Sequence, residues 1–180
     1  CQTPHGGANF MNYTIRPIDP GDAEGAAALR RMPGVFENTT GLPSCRTADS
    51  EAFIAGLGPD DHNFVAVLED GTVIGCAGLT VCSNPRMRHV GSVGLYVHTD
   101  YQNQGVGTAL MKVLLELADN WLMLVRVELE VFADNERAIH LYEKLGFEKE
   151  GLLRMTTVRD GRYVDDCKMA RIRIPGEALT

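Results

Sequence analysis

The apolar positions of this chain fall in short runs whose period changes along the sequence. "YTIRPI", Tyr13 to Ile18, alternates as a strand does. "PGDAEGAAALRRM" follows, Ala-rich, acidic early and basic late. That is the charge order a helix dipole favours, and Pro33 and Gly34 end the run. "PSCRTADSEAFIAGLG" predicts a second, shorter helix, capped by Asp49 or Ser50 and closed at Gly56 or Gly58. "NFVAVLEDGTVIGCAGLTV" is two apolar runs hinged on Asp70-Gly71, a hairpin signal. "HVGSVGLYV", His89 to Val97, is a third run. From Gly105 the period becomes helical, with Val106, Ala109, Leu110, Val113, Leu114 and Leu117 on one stripe. "VRVELEVF", Val125 to Phe132, returns to alternation. Asp134 is the expected cap of the helix "NERAIHLYEKLG", which stops at Gly146. Two last runs, "FEKEGLLRMTTV" and "RYVDDCKMARI", join at Asp160-Gly161, a second hairpin.

The predicted order is β-α-α-β-β-β-α-β-α-β-β. Strands are grouped instead of alternating strictly with helices, which predicts a mixed sheet in the α+β (mixed α/β) class. A length of 180 residues suits one domain with one core, and no internal repeat or linker interrupts it. Residues 1–11 are polar and Gly-rich and read as a flexible leader or expression remnant before a domain over residues 12–175.

Composition narrows the function classes. Hydrophobic residues are 44% and charged residues 23%, an ordinary soluble balance. No apolar run reaches bilayer length and no signal-peptide core opens the chain, so the expected location is cytoplasmic. The formal net charge of −7 argues against nucleic acid or an anionic membrane as partner. An anionic ligand must then be held by local features. Cys1, Cys45, Cys76, Cys82 and Cys167 are scattered, with no Cys-x-x-Cys, and read as reduced thiols. His5, His62, His89, His98 and His140 make no metal-ligand spacing, so no metal is expected.

Local features of the required kind stand in "LYVHTDYQNQGVGTALMKVLLEL", Leu95 to Leu117. It reads as strand, polar turn with two glycines, and amphipathic helix. A dinucleotide fingerprint would need glycine where Leu110 stands, and a Walker loop would need Gly-Lys-Ser/Thr. The physical logic of both survives. Gly105 and Gly107 remove side chains where the helix begins. Unpaired N–H groups there, with the positive end of the dipole behind them, suit a phosphate or pyrophosphate. The same glycines would also serve a plain tight turn, and the loop alone does not choose. In "VFADNERAIHLYEKLGF", Asn135 and Tyr142 lie two helical turns apart and share a face with the small Ala138. Taken singly, Asn135 can be a helix-start residue and Tyr142 a core aromatic with a wet hydroxyl.

Together the two segments resemble the GNAT superfamily of acyl-CoA-dependent N-acetyltransferases. "QNQGVG", Gln102 to Gly107, fits the Gln/Arg-x-x-Gly-x-Gly/Ala pattern of that family. "DNERAIHLYEKLGF" fits its later Asn-x-x-Ala-x-x-x-Tyr-x-x-x-Gly-Phe segment. The likeness runs from about Tyr13 to Ile174. The ending "GLLRMTTVRDGRYVDDCKMAR" is similar to bacterial enzymes that acetylate amino acids, N-terminal amines or phosphinothricin-like analogues.

The resemblance implies a single-domain fold. Its central sheet is mostly antiparallel, flanked by helices, with two central strands splayed to admit a thioester. It implies acetyl-CoA as co-substrate, with the pyrophosphate on Gln102, Asn103, Gln104, Gly105, Val106, Gly107 and Thr108. It further implies the pantetheine arm along Leu95, Tyr96 and Val97, a contact from Asn135, and Tyr142 as proton donor to the departing thiolate. The acceptor implied is a small amine or an N-terminal amine, attacking directly in a ternary complex; a homodimer is left open.

A thiol titrates near 8.5 and a tyrosine near 10, so full transfer from Tyr142 is uphill by about 2 kcal/mol unless the site tunes it. Many relatives place a glutamate base on the strand before the loop, but "RHVGSVGLYV" has no carboxylate. His89, Glu128, Glu130 or water remain as bases, and Asp165 and Asp166 as attractors of a cationic amine. Glu128 and Glu130 alternate with apolar neighbours and fit a solvated sheet face equally well. A noncatalytic acyl-CoA-binding module is the alternative function, one that would not need Tyr142.

Overall fold

The computed structural model describes residues 12–176, so the leader read over residues 1–11 lies outside the described residues. The observed elements are β1 (Tyr13–Pro17), α1 (Ala23–Arg31), α2 (Thr47–Ala55), β2 (Asp61–Leu68), β3 (Val73–Val81) and β4 (Val90–Val97). They continue with α3 (Val106–Asn120), β5 (Arg126–Phe132), α4 (Glu136–Lys144), β6 (Glu148–Arg159) and β7 (Arg162–Ile172). This is the predicted order. The strands form one seven-stranded sheet ordered β1-β2-β3-β4-β5-β7-β6. Every neighbouring pair is antiparallel except β4 and β5, which α3 connects in parallel.

Two layers of helix cover the sheet. On one face, Val106, Leu110, Met111 and Leu114 of α3 and Ile139 and Tyr142 of α4 pack on Ala77, Leu79, Val127, Leu129 and Met169. On the other, Ala26 and Leu29 of α1 close over Val65, Val67, Val73 and Cys76. This second layer reaches only part of the sheet. Glu128 and Glu130 of β5 alternate with the core residues Leu129 and Val131, so they point to the α1 side; Glu128 is half-buried and Glu130 exposed.

Three local expectations are corrected. Helix α2 begins at Thr47 with Arg46 as its cap residue. Asp49 caps from inside the first turn, its carboxylate accepting the Arg46 backbone N–H at 2.8 Å, and Ser50 is buried. At α4 the cap is Asn135, not Asp134. The Asn135 N–H is already tied to the Phe132 carbonyl at 2.9 Å, which places the Asn135 side chain to accept from Ala138 N–H at 3.2 Å; Asp134 pairs with Arg159 instead. The apolar stripe of α3 is also rotated from the expected one. Met111, Leu115 and Ala118 are buried beside Val106, Leu110 and Leu114, while Ala109, Val113 and Leu117 are only half-buried. The run is apolar on both flanks, and the period alone does not say which flank the sheet will cover.

Candidate active site

The parallel pair β4–β5 holds only where Val90, Gly91 and Ser92 face Arg126, Val127 and Glu128. Beyond Ser92 the two strands part. β4 stays paired to β3 on its other side through Val97. The β5-facing edge of Gly94–Val97 is therefore open backbone inside the molecule, able to pair with an extended ligand as a strand would.

The loop after this edge is built by internal bonds. The Gln102 side-chain amide donates to the Val97 carbonyl at 2.9 Å and to the Gly34 carbonyl at 3.4 Å, tying β4, the loop and the segment after α1 together. The Gln104 amide donates to the Asp100 carbonyl at 2.7 Å. Gly105 then turns the chain into α3 with φ +85, a left-handed conformation in open space. Gly107 serves a different purpose. A Cβ there would lie 3.3 Å from Leu95 Cδ1 and 3.6 Å from Leu141 Cδ2, so its absence lets the helix start close on β4. The first bond of the helix is Ala109 N–H to Gly105 carbonyl, at 2.9 Å. Among the described residues the N–H groups from Asn103 to Thr108 have no hydrogen-bond acceptor. They are free helix-start donors of the kind an anion site requires.

Open edge and loop share one cleft of about 730 Å³. Leu95, Tyr96, Val97, Gln102, Asn103, Gly105, Gly107, Thr108, Asn135 and Tyr142 all line it. Gln104 and Val106 do not: Gln104 is turned back on Asp100, and Val106 is buried in the core beneath. Tyr142 is 6% exposed and rests on Phe147, with ring centroids 5.8 Å apart. Burial alone pushes its phenol up to about 12, so at neutral pH it is a neutral O–H donor.

The base candidates separate clearly. His89 is exposed in the turn before β4 and does not line the cleft. Glu128 is bonded by Lys168 Nζ at 2.8 Å and Arg126 Nε at 2.7 Å. Burial alone would raise its carboxyl, but those two bonds outweigh it and hold the group below the ordinary carboxylate range. It too stays outside the cleft lining. Glu130 lines the cleft, with Lys168 Nζ at 3.4 Å. Asp166 lines it as well and is buried, accepting the Thr156 hydroxyl at 2.6 Å; Asp165 does not, and accepts the Met155 N–H at 2.8 Å. Among the described residues no group of His, Cys, Asp or Glu is gathered as a metal site requires.

Two features of the cleft escaped the sequence. Arg137, His140 and Lys144 of α4 line it along one helical face, a spacing visible in the sequence once that helix is known to border a ligand. Arg30, near the end of α1, lines it from the opposite layer, and no local pattern pointed to it.

The family model for the "Acetyltransferase (GNAT) family" matches residues 33–147 of this chain. The chain is 37% identical over 164 residues to the L-amino acid N-acetyltransferase AaaT of Escherichia coli (strain K12), covering 91% of this chain and all of the relative. Among solved structures it resembles an acetyltransferase of the GNAT family from Streptococcus pneumoniae, with TM-score 0.75 and 26% identity over 89% of this chain and 99% of that one. It also shares its fold, at TM-score 0.78 and 22% identity over 94% and 93% of the two chains, with a phosphinothricin acetyltransferase from Sinorhizobium meliloti in complex with AcCoA. With the parted strands, the open loop and the matched segments together, the chain belongs to the GNAT family and is an acyl-CoA-dependent N-acetyltransferase.

Proposed function

We propose that the protein moves an acetyl group from acetyl-CoA to the primary amine of a small amino-acid-like molecule, or to an N-terminal amine, by direct attack in a ternary complex. The observation that carries this reading is the slot between β4 and β5. It is bounded by the open edge of Gly94–Val97, by the unpaired N–H groups of Asn103–Thr108, and by the Tyr142 hydroxyl. The loop takes the pyrophosphate and the open edge takes the pantetheine arm, with Asn135 beside it. Arg137 and Lys144 add positive charge beside an anionic cofactor, offsetting the net charge of −7.

In the reaction, the amine nitrogen attacks the thioester carbonyl carbon, and a backbone N–H of Gly94–Val97 polarises the carbonyl oxygen. The C–S bond breaks and CoA leaves as thiolate. With its phenol near 12 against a thiol near 8.5, Tyr142 would give up its proton at a cost of about 5 kcal/mol. It therefore stabilises the thiolate as a hydrogen-bond donor without full transfer. Glu130, which alone of the three side chains weighed as base lines the cleft, takes the ammonium proton through water. The relative named as an L-amino acid N-acetyltransferase supports an amino acid acceptor. The free thiols of Cys45, Cys76, Cys82 and Cys167 fit the cytoplasmic setting we propose. A homodimer would use the outer edge of β6, where Leu152, Met155 and Val158 stand exposed.

The test is CoA release across a panel of amino acids, peptides with free N-termini, polyamines and aminoglycosides, with the product identified by mass. Amine-dependent release with an acetylated product is expected. CoA binding without release by any amine would make the chain a noncatalytic acyl-CoA-binding module.

A further inference from the structure

Arg30 stands apart from the other half-buried and buried cations among the described residues. Acidic residues outnumber basic ones 24 to 17, so carboxylate partners are plentiful. Every other half-buried or buried arginine or lysine among the described residues has taken a partner. Arg16 holds Asp22 at 2.7 Å, Arg126 holds Glu128 and Glu150, Arg171 and Arg173 share Asp119, Lys168 holds Glu128, Arg159 pairs with Asp134, and Arg31 donates to the Cys45 carbonyl at 2.8 Å. Arg30 is half-buried and has neither an ion pair nor a hydrogen bond among those residues. The acid whose charge bears on it, Asp49, is bonded by Arg46 at 2.8 Å.

The Arg30 guanidinium runs beside the Thr39–Gly41 segment, where a Cβ on Gly41 would lie 3.6 Å from Arg30 Nε and 3.8 Å from Nη2. Tyr96 and Cys76, on the sheet face that α1 covers, line the cleft with it. Arg30 therefore borders the cleft from the α1 side of the sheet, the side to which Glu130 and Asp166 also point. Gly78 and Gly94 face each other across β3 and β4 and both line the cleft; the sheet is open above Gly94, whereas the Asn63 side chain covers Gly78. A half-buried guanidinium without a partner among the described residues, across the open surface at Gly94 from two carboxylates, matches a small molecule that brings one carboxylate and one ammonium.

Resting on the acetyl-transfer reading above, we infer that Arg30 grips the carboxylate of the acceptor, so that the substrate class is a free α-amino acid and not a simple amine or the N-terminus of a long peptide. The acceptor's ammonium then lies toward Glu130 and Asp166, next to the thioester slot. Arg30 acts in binding and specificity and does not touch the reacting atoms.

The experiment compares wild type with Arg30→Gln and Arg30→Lys on three matched acceptors: an amino acid, its amide, and its decarboxylated amine. Wild type is expected to prefer the amino acid. In Arg30→Gln, kcat/KM for the amino acid should fall about ten- to a hundredfold, chiefly through KM, because a charged hydrogen-bonded pair is lost. The amide and the amine should change by less than about threefold on the same grounds, so the preference collapses, and Arg30→Lys should restore part of it. Calorimetry should show acetyl-CoA affinity unchanged. If Arg30→Gln weakens acetyl-CoA and leaves the acid-to-amide ratio intact, Arg30 serves the cofactor and the inference is wrong. Equal use of acid, amide and amine by wild type would also overturn it while leaving acetyl transfer standing. CoA release with none of the three matched acceptors or the wider amine panel would sink the transfer reading itself.

Discussion

The Asn103–Thr108 loop and the wall formed by Arg30, Glu130 and Asp166 line the same cleft, yet they are built differently. The loop offers main-chain N–H groups at a helix start, with the side chains of Gln102 and Gln104 spent on holding the backbone. The opposite wall offers charged side chains brought from α1, β5 and β7. A backbone site tolerates changes in the side chains around it and is damaged by whatever fills or charges its space. A side-chain site behaves the other way: each charge it loses removes a share of recognition. In the reading proposed above, the cofactor, common to many reactions, would sit on the first kind of surface, and the acceptor, which distinguishes one enzyme from another, on the second.

Tyr142 lies at the seam and should give the largest effect. It serves neither binding half, so Tyr142→Phe should lower kcat by about 10²–10³-fold with little change in either KM. The ring and its contact with Phe147 are kept, so the thermal midpoint should hold. Because burial raises the phenol to about 12, the donor stays protonated as the pH rises. The wild-type kcat should therefore show no alkaline fall up to about pH 10. Wild-type turnover in the folded variant would make Tyr142 a packing residue.

Next comes the charge test of the backbone half. Gly105 has φ +85 and open space around its Cα, so Asn, which tolerates that conformation, should be accepted with a small stability cost. Gly105→Asp has nearly the same shape and adds a negative charge at the phosphate position. It should weaken acetyl-CoA at least about tenfold relative to Gly105→Asn, by calorimetry at low salt, and less at high salt. Equal affinities for the two variants would remove the loop from the phosphate site.

The side-chain half is tested by Glu130→Gln. Here kcat/KM for the amine should fall about tenfold near neutral pH and recover as the pH rises and the amine loses its proton unaided. Acetyl-CoA affinity should stay constant. A deficit that persists at high pH would mean that Glu130 positions the acceptor and is not the base.

The same division explains what the sequence could reveal. The order of all eleven main elements was legible because each is a local pattern of period and punctuation. That Gly105, Gly107, Asn135 and Tyr142 would border one cleft was legible too, since they stand in two short segments at fixed spacings. The parting of β4 and β5 was expected from family likeness alone; nothing in "HVGSVGLYV" says where its pairing stops. Arg30 was invisible because its meaning lies in what it lacks, an ion-pair partner, and this emerges only when α1 is set over the sheet. Glu130 and Glu128 were indistinguishable as alternating acids. Arg126 and Lys168, from β5 itself and from β7, bond Glu128, which stands outside the cleft lining that Glu130 joins. Caps went astray by one residue at α4 because Asp134 and Asn135 are both good caps, and the pairing of Asp134 with Arg159 is long-range.

The smallest expected effect separates Gln102 from Gln104, two residues that read alike in "QNQGVG". If the loop binds phosphate through its backbone, neither side chain needs to touch the cofactor, and each matters only as far as it holds the main chain. Gln104 is exposed, stands outside the cleft lining, and makes one bond, to the Asp100 carbonyl at 2.7 Å. Gln102 is half-buried and bridges two distant carbonyls, of Val97 and Gly34, joining β4 to the segment after α1. Removing an exposed hydrogen bond costs about 1 kcal/mol or less, whereas Gln102→Ala takes the side-chain donor from the Val97 carbonyl, leaves the Gly34 carbonyl with the Asn38 amide alone, and unties β4 from the segment after α1. Gln104→Ala should therefore change acetyl-CoA affinity by less than about threefold, and Gln102→Ala should weaken it several-fold while lowering the thermal midpoint by a few degrees. A large loss from Gln104→Ala alone, with the fold intact, would show that its amide reaches the cofactor and that this half of the cleft is not made of backbone.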